Sequence, residues 1–535
     1  MLNGDSVHSY TSLEEKQIVS RIWKKDPSLW LNKTVDIQSN TGWLDSVKWI
    51  ETKREFFEEF SVKFKDRKFK TVVLIGMGGS SLTSFVLSSL FAKYQVDTKF
   101  VVLDTIVASS VESLSQKLDY GNTLFIIASK SGETLETNIL YEYFYNQVVL
   151  KNGYQRAGSF FVAITDNGSD LHTIAEESNF SDIFLNPFDI GGRFSALSYF
   201  GIIPALCMGV SVSSVISVIS KMMDSCSERV SITDNHAINL ALYLISNQKN
   251  NRNKLTFLFS SSLQSFGYWI EQLIGESLGK DGLGIVPIVE EPVVLTEQYG
   301  VDRCFVYYRL SSDKNDKNDL IFEKLKHMGI PVYMIDIESY MDIWAEFFRW
   351  KFTVVATSIM LNVNPFDQPD VLLSKKYTNN ALIEKLSNPV LFSSDVKSEL
   401  INMLHNVDKY SYVAILPFLE YSDELSCSIQ RLRRVIVSKF GLATVVGYGP
   451  KYLHSTGQLF KGGLDSVKVI QIFKQFKEDI NIPNYKYTFG ELLNAQVMGD
   501  FKALKERGRE VVLWEITEDA IESIDEITVF LEETV

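Results

Sequence analysis

Two short loops carry the residue types best suited to chemistry. Residues 129–137 read SKSGETLET, where Ser129, Ser131 and Thr134 set hydroxyls around Lys130 directly after the apolar run TLFIIA. Residues 76–81 read GMGGSS and follow a second apolar run, TVVLI. In a parallel α/β sheet the loop after a strand lies at the carboxyl edge, and the next helix turns its free N–H groups and positive dipole end toward that edge. Small hydroxyl donors added there form a cradle for an anion, and phosphate suits it best. Gly76, Gly78 and Gly79 allow close backbone approach, and Ser80 stands where a helix starts. One such loop alone reads equally as a capped helix start; two in succession favour a ligand. The first loop lacks the GK[ST] of a P-loop and, as GxGGS, departs from GxGxxG, which disfavours nucleotides.

The elements that must position these loops are legible as an alternation. TVVLIGMGGSSLTSFVLSSLF, TKFVVLDT with the helix-like VASSVESLSQKL, NTLFIIASKSGETLETNILYEYFYNQVVL and SFFVAITD each begin with a short apolar strand, the first and third passing through a polar loop into a helix. A second α/β unit starts near residue 231 and repeats strand, serine loop and helix in KLTFLFSSSLQSFGYWIEQLIGESLGK, then adds strands RCFVYYRL and IPVYMIDI. Thr71–Phe85 and Lys254–Glu276 thus form a weak internal repeat. After residue 395 come SYVAILPFL, an Arg-rich helix SIQRLRRVIVSKFG, ATVVGYG, and a final helix and strand DFKALKERGREVVLWEI, a smaller α/β unit. The expected division is a helical segment over 1–60, α/β units over 61–230 and 231–394, and a C-terminal α/β region over 395–535. Doubly wound, mainly parallel sheets covered by helices follow from the alternation.

Composition sets limits. With 535 residues, 45% of them apolar, the chain needs several cores, roughly two to four domains. A net charge of −13 without a local basic patch argues against nucleic acid or an anionic membrane. Cys207, Cys226, Cys304 and Cys427 lack CxxC spacing and the histidines lack HxH or HExxH pairing, so neither disulfides nor structural zinc are expected. The N-terminus has no basic and apolar leader, and cytosol is the expected location. The uncharged stretch Ser195–Ser220 is too rich in serine, with glycines and Pro204, for a membrane span and reads as a buried helix.

IGMGGSSL together with FIIASKSGETLET resembles the sugar-isomerase (SIS) domain. DIGGRFSALSYFG at 189–201 resembles the signature of glucose-6-phosphate isomerases, and QLIGESLGK at 272–280 and NPFDQPDVLLSK at 364–375 are similar to two further motifs of that family. These stand in family order across residues 71–375. GYGPKYLHSTGQLFKGG and YTFGELLNAQVMGDFKAL resemble the branch of isomerases fused behind transaldolase, although no transaldolase half is expected within these residues.

The resemblance implies two SIS domains and an interconversion of glucose 6-phosphate and fructose 6-phosphate through a cis-enediol, without cofactor or metal. Glu276 matches the family's base, and its apolar helix YWIEQLIGES is an environment that raises a carboxyl pKa. Arg193 matches the cation beside the enediolate. Lys375 matches a group near the ring oxygen and Gln368 one near the phosphate; their spacing puts both on one side of a two-turn helix. Ser129, Ser131 and Thr134 match phosphate ligands with Lys130 beside them, and Gly79 and Ser80 match contacts to the sugar.

One departure concerns ring opening. Long eukaryote-type isomerases place a histidine, in a QHSF context, between the glutamate and glutamine motifs, whereas that interval here holds only His327, in KLKHMGIPV, which reads as a helix end before a strand. His454, in LHSTGQ, is the better candidate for opening the sugar ring, though out of order. Alternatives are an isomerase that also accepts mannose 6-phosphate, and a silent SIS module that only binds a sugar phosphate. The expected partner is the sugar phosphate itself, with neither nucleic acid nor membrane; a homodimer is compatible with the sequence.

Overall fold

The computed structural model describes residues 13–14, 17–30, 37–92, 98–384, 395–475 and 479–534. Among them the strands form three sheets, every pairing parallel. Strands β1 (Thr71–Gly76), β2 (Lys99–Leu103), β3 (Thr123–Ala128), β4 (Phe161–Thr165) and β5 (Asp182–Leu185) lie in the order β2-β1-β3-β4-β5. The second sheet holds β6 (Lys254–Phe259), β7 (Val286–Ile288), β8 (Arg303–Leu310) and β9 (Val332–Ile337) in the order β7-β6-β8-β9. The third holds β10 (Tyr412–Phe418), β11 (Ala443–Val446), β12 (Val467–Phe473) and β13 (Glu510–Glu515) in the order β11-β10-β12-β13. Each sheet therefore repeats one winding, with its first strand between its second and third. A switch point arises between first and third strands, and the crevice beyond their carboxyl ends is where such sheets bind ligands.

The helices that matter to the site are α1 (Leu82–Leu90) after β1, α2 (Leu135–Asn152) after β3, α3 (Phe266–Leu278) after β6, α4 (Ile343–Leu361), α5 (Val371–Glu384), the short α6 (Gly457–Gly462) and α7 (Phe489–Glu506). The alternating faces of β1 show how the layers close. Val72 and Leu74 point into a core shared with α3, α4 and the N-terminal helices, while Val73 and Ile75 point into a core shared with the third sheet. Because both faces are covered, β1 and β3 read as unbroken apolar runs.

The structure differs from the sequence reading in four places. Ser195–Ser220 is not one buried helix: a 3₁₀ turn over Gly192–Leu197 leads into a fully buried helix Tyr199–Cys207, and a second helix, Val212–Ser225, starts beyond Gly209 and leaves one flank in solvent. Ser213, Ser214 and Ser217 sit on that exposed flank, so an uncharged stretch need not be a buried one. β5, β7 and β12 were not expected. β5 is only partly covered and β7 spans just Val286–Ile288, while β12 (VKVIQIF) interrupts its apolar run with Lys468 and the buried Gln471. The C-terminal region does not finish in a strand, because helix Ala520–Thr534 follows β13. Gln368 does not share a helix with Lys375: α5 starts at Val371, and Pro369 biases the residue before it away from helical geometry. No helix among the described residues is long and apolar enough to cross a membrane.

Candidate active site

β1 and β3 are paired in register to their last residues, Gly76 opposite Ala128, so the two hydroxyl-bearing loops leave the first sheet side by side at its switch point. In the second loop Thr134 occupies the N-cap position of α2. Ser129, buried, donates its Oγ hydrogen to Thr134 Oγ1 at 3.3 Å, and Ser131 Oγ accepts from the Glu133 N–H at 3.2 Å. The Ser131 hydroxyl hydrogen therefore stays available to an anion. Lys130 pairs with Asp166 at the end of β4. Burial raises the Asp166 carboxyl, and Lys130 works against that shift.

The first loop is enclosed by segments from elsewhere in the chain. A Cβ added at Gly79 would lie 2.3 Å from the Gly192 carbonyl oxygen, and one at Gly78, whose φ is +54°, would lie 2.3 Å from the His454 carbonyl oxygen. Only glycine admits both approaches. Ser80 closes the 3₁₀ turn Gly78–Ser80 ahead of α1.

Arg193, buried in the 3₁₀ turn after Gly192, faces Glu276 on α3. Its Nη1 lies 3.1 Å from Glu276 Oε2 and also donates to Gln368 Oε1; Nε donates to Ser277 Oγ at 3.0 Å, and Nη2 to the carbonyls of Pro365 at 2.7 Å and Asp367 at 2.8 Å. The guanidinium fork is thereby locked from both sides, a geometry that an ammonium could not reproduce. Burial raises the Glu276 carboxyl above its ordinary value, with Arg193, Gln272 and His454 partly offsetting it. A base tuned toward neutrality by desolvation, beside a fixed cation, is the arrangement that proton abstraction next to a carbonyl requires.

His454 closes the 3₁₀ turn Lys451–His454 in the third unit and reaches the first: its Nε2 lies 2.9 Å from Glu136 Oε1 on α2. Its carbonyl accepts from Gln272 Nε2 at 3.0 Å, one helical turn before Glu276. A cavity of about 250 Å³ is lined by Glu133, Glu136, Lys375, His454 and Gln496, among others. Lys375 thus opens onto the same space as His454, from α5. His327, by contrast, is an exposed residue at the end of helix Asp316–His327 and is not among the cavity's lining.

The internal repeat has a different outcome in the second sheet. The serine loop after β6 is filled by a carboxylate of the chain itself: Asp313 accepts from Ser262 N–H at 2.8 Å, Ser262 Oγ at 3.0 Å and Ser261 Oγ at 3.2 Å. In the first sheet's cradle the serine hydroxyls bond instead to the loop's own hydroxyl and backbone groups.

Residues 32–285 match the family described as phosphoglucose isomerase. The match spans a little under half of the chain and takes in both hydroxyl-bearing loops, Arg193 and Glu276. A protein of Methanocaldococcus jannaschii named glucose-6-phosphate isomerase is 27% identical over 358 residues, which cover 60% of this chain and 86% of the relative. One of Campylobacter jejuni with the same name is 26% identical over 375 residues, covering 62% of this chain and 90% of the relative. A crystal structure of a glucose-6-phosphate isomerase from Chlamydia trachomatis superposes with a TM-score of 0.52 at 18% identity, covering 72% of this chain and 81% of that one. A hypothetical protein from Thermus thermophilus superposes at 0.58 with 20% identity, covering 72% and 100%. The structural likenesses establish the fold.

The candidate site includes residues that sequence reasoning passed over. Glu136 lies within SKSGETLET but carries no local mark of burial; it is buried and also accepts from Gln496 Nε2 at 2.6 Å. Lys280 ends the QLIGESLGK motif and holds the 364–367 loop, donating to the Asp367 carbonyl and carboxylate at 2.6 Å each and to the Asn364 carbonyl. Burial, with Arg193 adding to it, pushes the Lys280 ammonium down to about 7. A lysine in the motif was the available signal, but its partner loop lies 87 residues away.

Proposed function

We propose that the chain interconverts D-glucose 6-phosphate and D-fructose 6-phosphate. The observation that carries this reading is the buried Glu276–Arg193 pair, held beside an anion cradle at the switch point of the first sheet. The phosphate sits against Ser129, Ser131 and Thr134 with Lys130 beside it, and Gly79 and Ser80 touch the sugar. Glu276, as carboxylate, takes the proton from C2 and the enediolate oxygens lean on Arg193; as a proton passes from O2 to O1, Glu276 delivers its own proton, partly exchanged with solvent, to C1. Gln368, its carbonyl occupied by Arg193, keeps its amide hydrogens for substrate.

Before that step the cyclic sugar must open. His454 shuttles the proton between the anomeric hydroxyl and the ring oxygen, with Lys375 near the ring oxygen. Glu136 is the acceptor that keeps the imidazole hydrogen on Nε2, leaving Nδ1 as the base. Burial alone would raise Glu136, but His454 and Gln496 hold it down at about 2, so it remains an acceptor throughout the working pH range.

The test is a coupled assay on purified protein with glucose 6-phosphate, run in deuterium oxide with proton NMR of the C2 position. Fructose 6-phosphate formation with solvent exchange at C2 is expected. Absence of both from correctly folded protein overturns the reading, and comparable turnover of mannose 6-phosphate would show a site that tolerates either C2 configuration.

A further inference from the structure

The two ring-opening groups come from segments far apart in sequence, yet one buried side chain touches the neighbours of both. Asp500, on α7, is fully buried and accepts from three donors. Its Oδ1 takes Lys461 Nζ at 2.6 Å and Ser374 Oγ at 3.1 Å, while Oδ2 takes the Tyr452 hydroxyl. Ser374 immediately precedes Lys375 on α5, and Tyr452 lies in the same 3₁₀ turn as His454. Lys461, on α6, neutralises the carboxylate, so the two hydroxyl arms are not needed to balance its charge.

We propose that Asp500 is a positioning residue for ring opening, fixing the turn of His454 and the helix of Lys375 relative to one another through Tyr452 and Ser374. This rests on the assignment of ring opening to His454 and Lys375. Close packing of α5 on α7 supports it: a Cβ added at Gly499, next to Asp500, would lie 2.5 Å from Thr378 Oγ1 and 2.7 Å from the Thr378 nitrogen. The helix of Lys375 is therefore seated directly on the helix of Asp500. A second tie holds its start, where Gln458 Nε2 donates to Asp370 Oδ2 at 2.6 Å and the Asp370 N–H donates to Gln458 Oε1 at 3.0 Å. Lys375 itself is exposed at the cavity and has a long stem, so the placement of its backbone decides where its ammonium can reach. Proton transfer across a sugar ring needs both groups within hydrogen-bond reach at once, and a displacement of about 1 Å is enough to cost up to ~100-fold.

Asp500→Asn would strand the buried Lys461 charge and confuse folding with function. Tyr452→Phe and Ser374→Ala each remove one arm and keep the Lys461–Asp500 pair. For each variant, kcat on cyclic glucose 6-phosphate is compared with C2 proton exchange of an open-chain substrate analogue, alongside His454→Gln and Lys375→Met. The expected result is a loss of roughly 10-fold or more on the cyclic substrate with open-chain exchange within about 2-fold of wild type. A merely structural role would lower both activities together and overturns the proposal. If His454→Gln and Lys375→Met shift the cyclic-to-open ratio while the two arm variants do not, the proposal alone fails. If none of the four shifts it, the ring-opening assignment fails and the proposal with it.

Discussion

His454 and Glu136 stand 318 residues apart in sequence and 2.9 Å apart in space. The contact joins the third α/β unit to the helix that follows the SKSGETLET loop, so a residue outside the matched segment 32–285 is bonded to a buried one inside it. A histidine fixed by a buried carboxylate has a defined tautomer, which suits a proton shuttle.

The expected phenotype follows from separating the two chemical steps. His454→Gln should turn over cyclic glucose 6-phosphate poorly yet still exchange the C2 proton of an open-chain analogue at a near wild-type rate through Glu276. His327→Gln, at an exposed helix end, should leave both activities intact. A ring-opening defect in His327→Gln with none in His454→Gln would reverse the assignment.

Glu276→Gln keeps the shape of the base but cannot accept a proton. Its kcat should fall by about 10²–10⁴-fold with substrate affinity nearly unchanged. Arg193→Lys should also lose most of kcat, because the fork that meets Glu276, Ser277, Gln368 and the 365–367 carbonyls becomes a single point charge. Steady-state kinetics decide both. Wild-type kcat in either variant removes that residue from the chemistry.

Replacing Ser129, Ser131 and Thr134 together by alanine should weaken sugar-phosphate binding by several kcal/mol at most, each bond to a charged acceptor being worth about 1.5–3 kcal/mol without strict additivity. Inorganic phosphate should compete with substrate in the wild type and lose that ability in the triple variant. Competition that persists unaltered would move the anion site elsewhere. The serine loop after β6 should not compensate, since Asp313 already fills it.

Glu271, on α3, gives a prediction in stability rather than rate. It is buried, and burial raises its carboxyl from the ordinary 4.5 to about 8, Arg433 opposing and Glu290 reinforcing the change. Between those two values the folded state holds a proton that the unfolded chain has released, so stability must fall as pH rises through the window and level off above it. Glu271→Gln removes that slope. The variant should gain on the wild type by a few kcal/mol from the low end of the window to the high end, on the order of 1.4 kcal/mol for each pH unit crossed. Denaturant titrations at several pH values measure it, and parallel curves for the two proteins would refute the role given to Glu271.

The sequence by itself determined the alternation of strands and helices, and with it the parallel sheets, because strands covered on both faces must be written as unbroken apolar runs, as TVVLIG and TLFIIA are. It also marked the two hydroxyl- and glycine-bearing loops, since such residues after an apolar run are a local pattern, and the pairing of β1 with β3 sets those loops side by side. Glu276 and Arg193 were reachable through motif resemblance, and the structure brings them within 3.1 Å of each other. What lay outside its reach were contacts whose partners are remote: Glu136 with His454, Lys280 with the 364–367 loop, Asp313 in the second serine loop, and Asp500 beneath Ser374 and Tyr452. A buried carboxylate looks the same in sequence as a solvated one, and only the closing of distant segments over it removes the water. The same reason explains Gln368, where spacing suggested a shared helix and a proline with a ring of carbonyl partners around Arg193 set a loop instead. Local periodicity fixes elements because backbone hydrogen bonding is local, whereas the assembly of charges from three separate sheets is decided by how those sheets pack.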